Sequence, residues 1–480
     1  MWPLCAMSHQ NSRPEEDLSV PHHVTAPDIS LRALFKLASP IFVANLSIMG
    51  AATIDTIMAG RLGAEHLAAV AVGNAAAIMI FLSLVAILQG LSPIAGHHYG
   101  ARRYERIGFE LSQSGWLCIL LAAIGMTLML QTNFWVNFGR VSGNVAEMTT
   151  TFLYAAAAGV VPAVGARAFV ALNAAVSRPK VTMWVSLVML GMKIPLNSLF
   201  MYGLFGLPEM GGPGAAMATA VNSWLAFTAY YIIWKRDKYY EKMRPAKFYL
   251  PDIKAIAELL KLGVPIGLSS FFEVSSFTLM AIFIARLGTI PVAAHQIVAN
   301  MTATLYMIPF SLAIAVSVLV SQCLGAGYPQ AARDITVKTI RVAMVIAFFS
   351  AVLLYVTRIP MVSLYTTDEA VKVLAVQLLL FGSLYHVMDA CQTVSGFALR
   401  GYRVTFWPMV IYGVLLWAVG LGGGYWVGFG GQVLGGPYGA LGFWGATALG
   451  LVLAGIALGT MAVFVANTRA KEAVEVGSGH

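Results

Sequence analysis

The chain has 480 residues and a formal net charge of +9, and 59% of its residues are hydrophobic while only 11% are charged. A soluble domain carries about 25% charged residues, so this composition excludes an ordinary soluble protein and indicates an integral membrane protein. Its apolar stretches continue without alternation for about 20 residues, which favours transmembrane helices over the roughly 10-residue alternating strands of a membrane barrel.

The apolar stretches form two groups of six, which predicts an all-α membrane protein with twelve transmembrane helices in two six-helix lobes. A cytosolic tail at 1–32 is followed by the N-terminal lobe at 33–235, a basic cytosolic linker at 236–255, the C-terminal lobe at 256–466 and a cytosolic tail at 467–480. The twelve predicted segments are 33–60, 66–96, 107–132, 148–176, 180–203, 212–235, 256–285, 291–321, 335–357, 370–400, 404–427 and 438–466.

Lys and Arg are concentrated on one side of the predicted membrane. With the N-terminus inside, 23 of them fall on the inner side and five on the outer side, while Arg167 and Lys193 lie within spans. Because cytoplasmic loops are enriched in basic residues, this asymmetry predicts that both termini are cytoplasmic. The net charge is therefore a signal of topology and does not indicate nucleic-acid binding.

The two halves of the chain match at a constant offset of 225 residues, without gaps. The matching positions fall at corresponding helix ends, and six helices in each half give both repeats the same orientation. The sequence therefore predicts parallel repeats about an axis along the membrane normal. The clearest pairs are Pro40 with Pro265, Arg61-Leu-Gly63 with Arg286-Leu-Gly288, Gly100-Ala101 with Gly325-Ala326, and Arg178 with Arg403.

Three carboxylates, Asp55, Glu273 and Asp389, lie well inside predicted spans. Each costs roughly 2.5–3.5 kcal/mol to insert, so such residues usually mark an ion or substrate route. Glu273 and Asp389 lie roughly 18 and 16 Å from the inner ends of their helices, which places them at one depth. Two such acids can share a proton or a cation. Tyr385 precedes Asp389 by one turn on the same face and could complete the shell of a bound Na⁺.

A second polar group is predicted in the N-terminal lobe. Lys193 precedes Asn197 by four residues, so both share one face of their helix. Asp55 and Asn197 lie at similar depths, about 28 and 26 Å from the inner ends of their helices. A buried lysine must be paired or neutral, and Asp55 is the expected partner of Lys193.

With these residues assembled, the chain resembles the multidrug and toxic compound extrusion (MATE) transporters of the NorM branch from about residue 33 to 466. No single motif is specific, but their combination is. The matching motifs are Asp55-Thr-Ile-Met-Ala-Gly60, Phe271-Phe-Glu-Val274, Val292-Ala-Ala-His-Gln296, Ile194-Pro-Leu-Asn197, and Asp389 together with Leu399-Arg-Gly-Tyr402.

The resemblance implies two lobes forming a V in the bacterial inner membrane, and export of cationic amphiphilic drugs against Na⁺ or H⁺ by alternating access. It also implies a cation-coupling site of Glu273, Asp389 and Tyr385 in the C-terminal lobe. We expect a monomer in contact with drugs and lipid, without nucleic acid and without a cofactor other than the coupling ion.

In the N-terminal lobe the resemblance implies a polar network of Asp55, Asn197 and Thr219. Lys193 departs from the family pattern, because relatives carry asparagine at that position. The hypothesis is that its ammonium takes the place of a cation or proton beside Asp55, which leaves coupling mainly to Glu273 and Asp389.

Other functions are less consistent with the sequence. An ATP-driven pump is disfavoured because there is no Gly-x-x-x-x-Gly-Lys-Ser/Thr loop. The main alternative is a lipid-linked oligosaccharide flippase of similar two-lobe form, which would need a strongly cationic cavity, whereas buried acids outnumber buried bases here by three to two. No His-x-x-x-His or Glu-x-x-His pattern lies within a span, so we do not expect an enzyme.

Overall fold

The computed structural model describes residues 27–478 apart from 140, 246, 431, 433 and 434. Most of the predicted N-terminal tail and the last two residues of the C-terminal tail therefore lie outside the described residues. Over the part that is described, the chain is helical and contains no strand, in agreement with the all-α prediction.

Twelve long helices correspond to the twelve predicted segments. They are α1 (Leu31–Leu62), α2 (Ala64–Gly100), α3 (Tyr104–Leu130), α4 (Gly143–Ala175), α5 (Pro179–Met201), α6 (Pro213–Arg236), α7 (Ile253–Ala285), α8 (Thr289–Gly325), α9 (Pro329–Tyr365), α10 (Glu369–Gly401), α11 (Phe406–Phe429) and α12 (Gly439–Ser478). Helix α2 contains a turn at Gln89 and Gly90, and α11 contains a π-helical stretch at Gly413–Gly422.

Eleven of the twelve described helices are long and apolar enough to cross a membrane, and the exception is α6. With 24 residues, α6 is about 36 Å long, which is enough for the roughly 30 Å hydrocarbon core. Thr219, Asn222 and Ser223 make it less apolar than its neighbours. Because α6 packs against α4 and α5, these helices shield part of its surface.

Several helices begin where the sequence provides a starting signal. Pro179 and Pro213 occupy the first turn of α5 and α6, respectively. Backbone N–H groups in the first turn have no acceptor within the helix, so a proline, which lacks this N–H, costs no hydrogen bond there. Helix α10 begins with a side-chain cap, since Asp368 Oδ1 accepts hydrogen bonds from the backbone N–H groups two and three residues later, at 2.8 and 3.2 Å. These local rules set the boundaries of helices that hold the polar residues described below.

The described residues form two compact units. Unit 1 is Ser39–Gly267, and unit 2 comprises residues 27–38 and 268–478. The predicted lobes, 33–235 and 256–466, had their boundaries in the connecting loops, whereas the structure divides the chain inside α1 and α7. The beginning of α1 belongs to unit 2, and the linker with the first half of α7 belongs to unit 1.

Contacts made by the ends of these two helices explain the shifted boundaries. Lys338 Nζ of α9 donates a hydrogen bond to the carbonyl oxygen of Ile29 at 3.1 Å, which ties the chain before α1 to unit 2. In unit 1, Gly263 of α7 lies against the backbone of Ile87 in α2 so closely that a Cβ at Gly263 would collide with it. The boundary between the units lies within two residues of Pro40 in α1 and within two residues of Pro265 in α7.

The linker, predicted from its basic residues as a cytosolic connection, is docked on unit 1. Arg178 and Asp237 form an ion pair at its beginning. At its end, the Gln113 side chain donates to the carbonyl oxygen of Leu250 at 3.1 Å and accepts from the backbone N–H of Asp252 at 2.8 Å. Most of the linker's basic side chains are exposed, as expected, but its backbone is anchored.

Candidate functional site

Helix α10 carries one of the three predicted membrane acids, and its neighbours enclose it. It packs against α8, α9 and α12, and every residue from Asp389 to Gly401 is buried. Asp389, Gln392 and Arg400 are therefore removed from bulk solvent although their side chains are polar or charged. Buried polar groups require partners, so the contacts of these three side chains define the candidate site of unit 2.

The two acids of unit 2 belong to one cluster, as predicted. Glu273 on α7 is half-buried, and its Oε1 accepts a hydrogen bond from Tyr306 Oη of α8 at 2.9 Å. Asp389 is 7% exposed, and its Oδ1 accepts a hydrogen bond from Gln392 Nε2 at 3.1 Å. The two carboxylates are close enough to interact electrostatically.

Tyr385 lies beside Asp389, but a different tyrosine contacts Glu273. The Tyr385 ring is buried and stacks on Trp444 of α12, with the ring centres 6.2 Å apart and an angle of 20° between the planes. The phenol that binds Glu273 is Tyr306, which the sequence analysis did not single out. A tyrosine within an apolar span is common, so the sequence contains no signal that distinguishes Tyr306.

Arg400 is the second residue whose position differs from expectation. It is one of the 23 basic residues that the sequence assigns to the inner side, and the structure places it 8% exposed at the end of α10. Its guanidinium lies 3.7 Å from the ring centre of Phe397 and interacts electrostatically with Glu273 and Tyr412. Side chains of a helix tilt toward its N-terminus, which allows a residue at the end of α10 to approach this cluster. Without Arg400 the inner count is 22 against five, so the topology prediction is unchanged.

A close approach between α10 and α11 adds Tyr412 to the cluster. A Cβ added to Gly396 would lie 2.9 Å from the hydroxyl oxygen of Tyr412, so a larger residue would displace the phenol. Tyr412 is 4% exposed and interacts electrostatically with Glu273 and Asp389. Glycine at position 396 therefore lets the tyrosine of α11 pack directly on α10.

Oxygen atoms dominate the unit 2 cluster. The described residues hold no group of three or more His, Cys, Asp or Glu side chains arranged for a metal ion. The cluster instead combines the carboxylates of Glu273 and Asp389 with the phenols of Tyr306 and Tyr385. Gln392 Oε1 is also buried there and has no hydrogen-bond partner among the described residues. Carboxylate and carbonyl oxygens are ligands of hard cations, so these residues could hold a Na⁺ ion.

Unit 1 contains the second predicted polar group, and its central contact is an ion pair. Lys193 Nζ of α5 lies 3.0 Å from Asp55 Oδ2 of α1, and the two side chains are 2% and 9% exposed. Asp55 Oδ1 accepts a hydrogen bond from Asn197 Nδ2 at 2.7 Å. The predicted pairing of Lys193 with Asp55 and the predicted common depth of Asp55 and Asn197 are thereby confirmed.

Thr219 joins the same network from α6. Its hydroxyl oxygen accepts a hydrogen bond from Lys193 Nζ at 2.5 Å, and the hydroxyl donates to the carbonyl oxygen of Ala215 at 2.8 Å. Asn197 Nδ2 also lies 3.6 Å from the sulfur of Met58. All four predicted residues of the N-terminal polar network therefore form one connected cluster on three helices.

Comparison with known proteins gives relatives over nearly the whole chain. The protein-family model MatE matches residues 40–199 and again 265–426. The two matches begin 225 residues apart, which is the offset predicted from the sequence and confirms the internal repeat.

Two curated relatives are similar over most of their length. The probable multidrug resistance protein NorM of Aromatoleum aromaticum is 40% identical over 447 residues, covering 91% of this chain and 95% of the relative. The multidrug resistance protein NorM of Vibrio cholerae is 33% identical over 428 residues, covering 89% of this chain and 93% of the relative.

A solved structure of a eukaryotic MATE transporter, AtDTX14, shares the fold. Its TM-score is 0.81 at 19% identity, and the match covers 92% of this chain and 98% of that chain.

Proposed function

The chain belongs to the MATE family of multidrug efflux transporters, and we propose that it is a secondary antiporter that exports amphiphilic organic cations in exchange for Na⁺ or H⁺. The coupling ion would bind at Glu273 and Asp389, with Tyr385 beside Asp389. The protein would act as a monomer in the bacterial inner membrane with both termini in the cytoplasm.

The charge balance of the unit 2 cluster supports this proposal most directly. When both are ionised, Glu273 and Asp389 contribute two negative charges, and Arg400 contributes one positive charge, so these described residues then sum to one negative charge. A buried charge without a counter-ion is costly, and a proton or a Na⁺ ion removes that cost. The cluster is therefore suited to bind one monovalent cation.

Aromatic side chains next to Glu273 suit an organic cation. The rings of Phe271 and Phe272 lie 6.1 and 5.9 Å from the ring of Trp417, measured between centres. The Trp417 indole N–H donates to Ser275 Oγ at 2.9 Å, which fixes the ring. Flat cations bind to aromatic faces, and the binding is stronger where water is excluded.

Exchange requires that the cation and the drug favour different states of the protein. A ligand shifts a conformational equilibrium only by its differential affinity for the two states. If both ligands neutralise the same negative charge in unit 2, binding of one opposes binding of the other. Their competition would then couple drug export to cation entry.

Ethidium transport in inside-out membrane vesicles tests the proposal. An imposed Na⁺ gradient and, separately, a pH gradient are compared for wild type, Glu273→Gln and Asp389→Asn. We expect both variants to lose the transport that one of these gradients drives in wild type, and that gradient identifies the coupling ion. Glu241→Gln, which changes an exposed carboxylate of the linker, serves as the matched control and should retain transport.

Two outcomes would argue against the proposal. Transport by Glu273→Gln and Asp389→Asn at the wild-type rate would contradict coupling at these acids. Absence of ethidium transport by the wild type under either gradient would contradict the substrate class and favour the flippase alternative.

A further inference from the structure

The ammonium of Lys193 lies where oxygen atoms from two other helices meet. Asp55 Oδ2 of α1 is 3.0 Å away, and Thr219 Oγ1 of α6 is 2.5 Å away. The Lys193 side chain is 2% exposed, so these contacts replace its hydration. Carboxylate and hydroxyl oxygens also bind hard metal cations, which means that the ammonium occupies a position in which a small cation would find suitable ligands.

Asn197 provides another oxygen atom in this cluster. It lies one turn after Lys193 on α5, and its Nδ2 holds Asp55 Oδ1 at 2.7 Å. Its Oδ1 is buried and has no hydrogen-bond partner among the residues that the structure describes. A buried carbonyl oxygen without a partner is uncommon and unfavourable, so it is a ligand available to a cation with several coordination positions.

The charges of the cluster explain why it would bind no further cation as it stands. Asp55 contributes one negative charge and Lys193 one positive charge, and both Asp55 oxygens are already in contact with a donor. A Na⁺ ion added to this pair would be an uncompensated buried charge. Loss of the ammonium would leave the negative charge of Asp55 without a counter-ion.

From these contacts we infer that Lys193 is the permanently bound cation of a monovalent-cation site formed by Asp55, Thr219 and Asn197, and that removal of its ammonium creates a Na⁺ site in unit 1. The inference extends the proposed function by confining the coupling ion to unit 2 in the natural chain. It concerns equilibrium binding, so it can fail or hold independently of the transport mechanism.

Equilibrium binding of radioactive Na⁺ to the purified full-length protein in detergent tests this inference. The variant Lys193→Met keeps an apolar stem of similar shape but lacks the charge. At alkaline pH, with choline replacing Na⁺ to hold the ionic strength, we expect it to bind about one more Na⁺ per chain than wild type, because one carboxylate has lost its counter-ion.

The matched control is the double variant Lys193→Met/Asp55→Asn, which removes both charges together. It should bind the same number of Na⁺ ions as wild type. A folded Lys193→Met variant with wild-type stoichiometry would overturn the inference. Additional Na⁺ that persists in the double variant would also overturn it, because the site would not depend on Asp55.

A thermal measurement covers the case in which Lys193→Met is too unstable for counting ions. If Na⁺ replaces the ammonium, the melting temperature of this variant rises with NaCl relative to an equal concentration of choline chloride, as expected for a ligand that binds only the folded state. The double variant should melt at the same temperature in both salts. Equal melting of Lys193→Met in NaCl and choline chloride would contradict a Na⁺ site.

Discussion

The two units each contain a buried polar cluster, and the clusters differ mainly in their balance of charge. In unit 1, Asp55 faces Lys193 and the charges cancel. In unit 2, Glu273 interacts with both Asp389 and Arg400, so with both acids ionised one negative charge is left among these described residues. Both clusters also contain a buried amide oxygen, on Asn197 and Gln392 respectively, that has no hydrogen-bond partner within the described part of the chain.

The two copies of the repeat therefore place their buried charges differently. The cluster of unit 1 lies on α1, α5 and α6, where Lys193 balances Asp55, and the cluster of unit 2 lies on α7, α8, α10 and α11. In unit 2 the net negative charge would be neutralised by a cation bound from solution. We therefore expect ion exchange to take place in unit 2, while the cluster of unit 1 keeps a fixed structure.

The largest effect is expected from making unit 2 resemble unit 1. Asp389→Asn leaves Glu273 opposite Arg400 with balanced charges, so the cluster no longer needs a mobile cation. We expect gradient-driven efflux to fall about a hundredfold or more, since a ligand without differential affinity shifts no equilibrium. Initial rates of ethidium transport in vesicles measure this, and an undiminished rate would show that the net charge of unit 2 is irrelevant.

Breaking the balance of unit 1 should affect stability. Asp55→Asn leaves the Lys193 ammonium buried without its carboxylate, which typically costs about 3–5 kcal/mol. Thermal unfolding in detergent should show a large fall in melting temperature. Adding Lys193→Met should recover much of the loss because it removes the unpaired charge. If both the single and the double variants melt like wild type, the ion pair contributes little.

Removing the positive charge of unit 2 tests the comparison from the opposite direction. Arg400→Met leaves Glu273 and Asp389 with two negative charges, which should strengthen cation binding. Charges within a protein interact as if the dielectric constant were about 20. Loss of one positive charge next to the bound cation then corresponds to about a tenfold or larger increase in cation affinity. The half-saturating cation concentration for transport should fall accordingly, while Arg469→Met, a change of an exposed basic residue in unit 2, should leave it unchanged.

The smallest effect is expected at the linker, which belongs to neither cluster. The pKa of Asp237 lies below its usual range, chiefly because its carboxylate accepts a hydrogen bond from the Tyr239 backbone N–H at 2.9 Å, with Arg178 contributing further. A lowered pKa in the folded protein means that the stabilisation is present at neutral pH and is lost as the pH falls through that pKa.

Asp237→Asn should therefore weaken the linker at neutral pH and have little effect in strong acid. The group is partly exposed, so we expect a loss of at most about 1 kcal/mol. Amide hydrogen exchange measures this effect, and we expect Asp237→Asn to exchange faster than wild type only within residues 237–252. Exchange as slow as in wild type at neutral pH would mean that the ion pair with Arg178 does not anchor the linker.

The fold could be predicted because membrane insertion leaves strong marks in a sequence. Continuous apolar segments and the offset of 225 specify helices and repeat without reference to packing. The boundaries of the two units could not be predicted in this way. They depend on contacts between distant residues, such as Gln113 with Leu250, that have no local signal.

The same distinction applies to the two clusters. The pairing of Asp55 with Lys193 was predictable for two reasons. A buried ammonium needs a nearby carboxylate, and the helical rise places Asp55 at a depth similar to that of Asn197, which shares a helix face with Lys193. Tyr306 and Arg400 were missed since a tyrosine in a span and an arginine at a helix end are ordinary features. Only the tertiary fold of unit 2 brings Tyr306 into hydrogen-bond contact with Glu273 and Arg400 into electrostatic interaction with it.

The most direct test of the account is whether drug and cation compete for unit 2. Tetraphenylphosphonium binding to the purified protein can be followed by calorimetry over a range of Na⁺ concentrations and pH values. The account predicts that drug affinity falls as either Na⁺ or H⁺ rises, and that this dependence disappears in Asp389→Asn. Drug affinity independent of both ions in the wild type would contradict the claim that both neutralise the same charge.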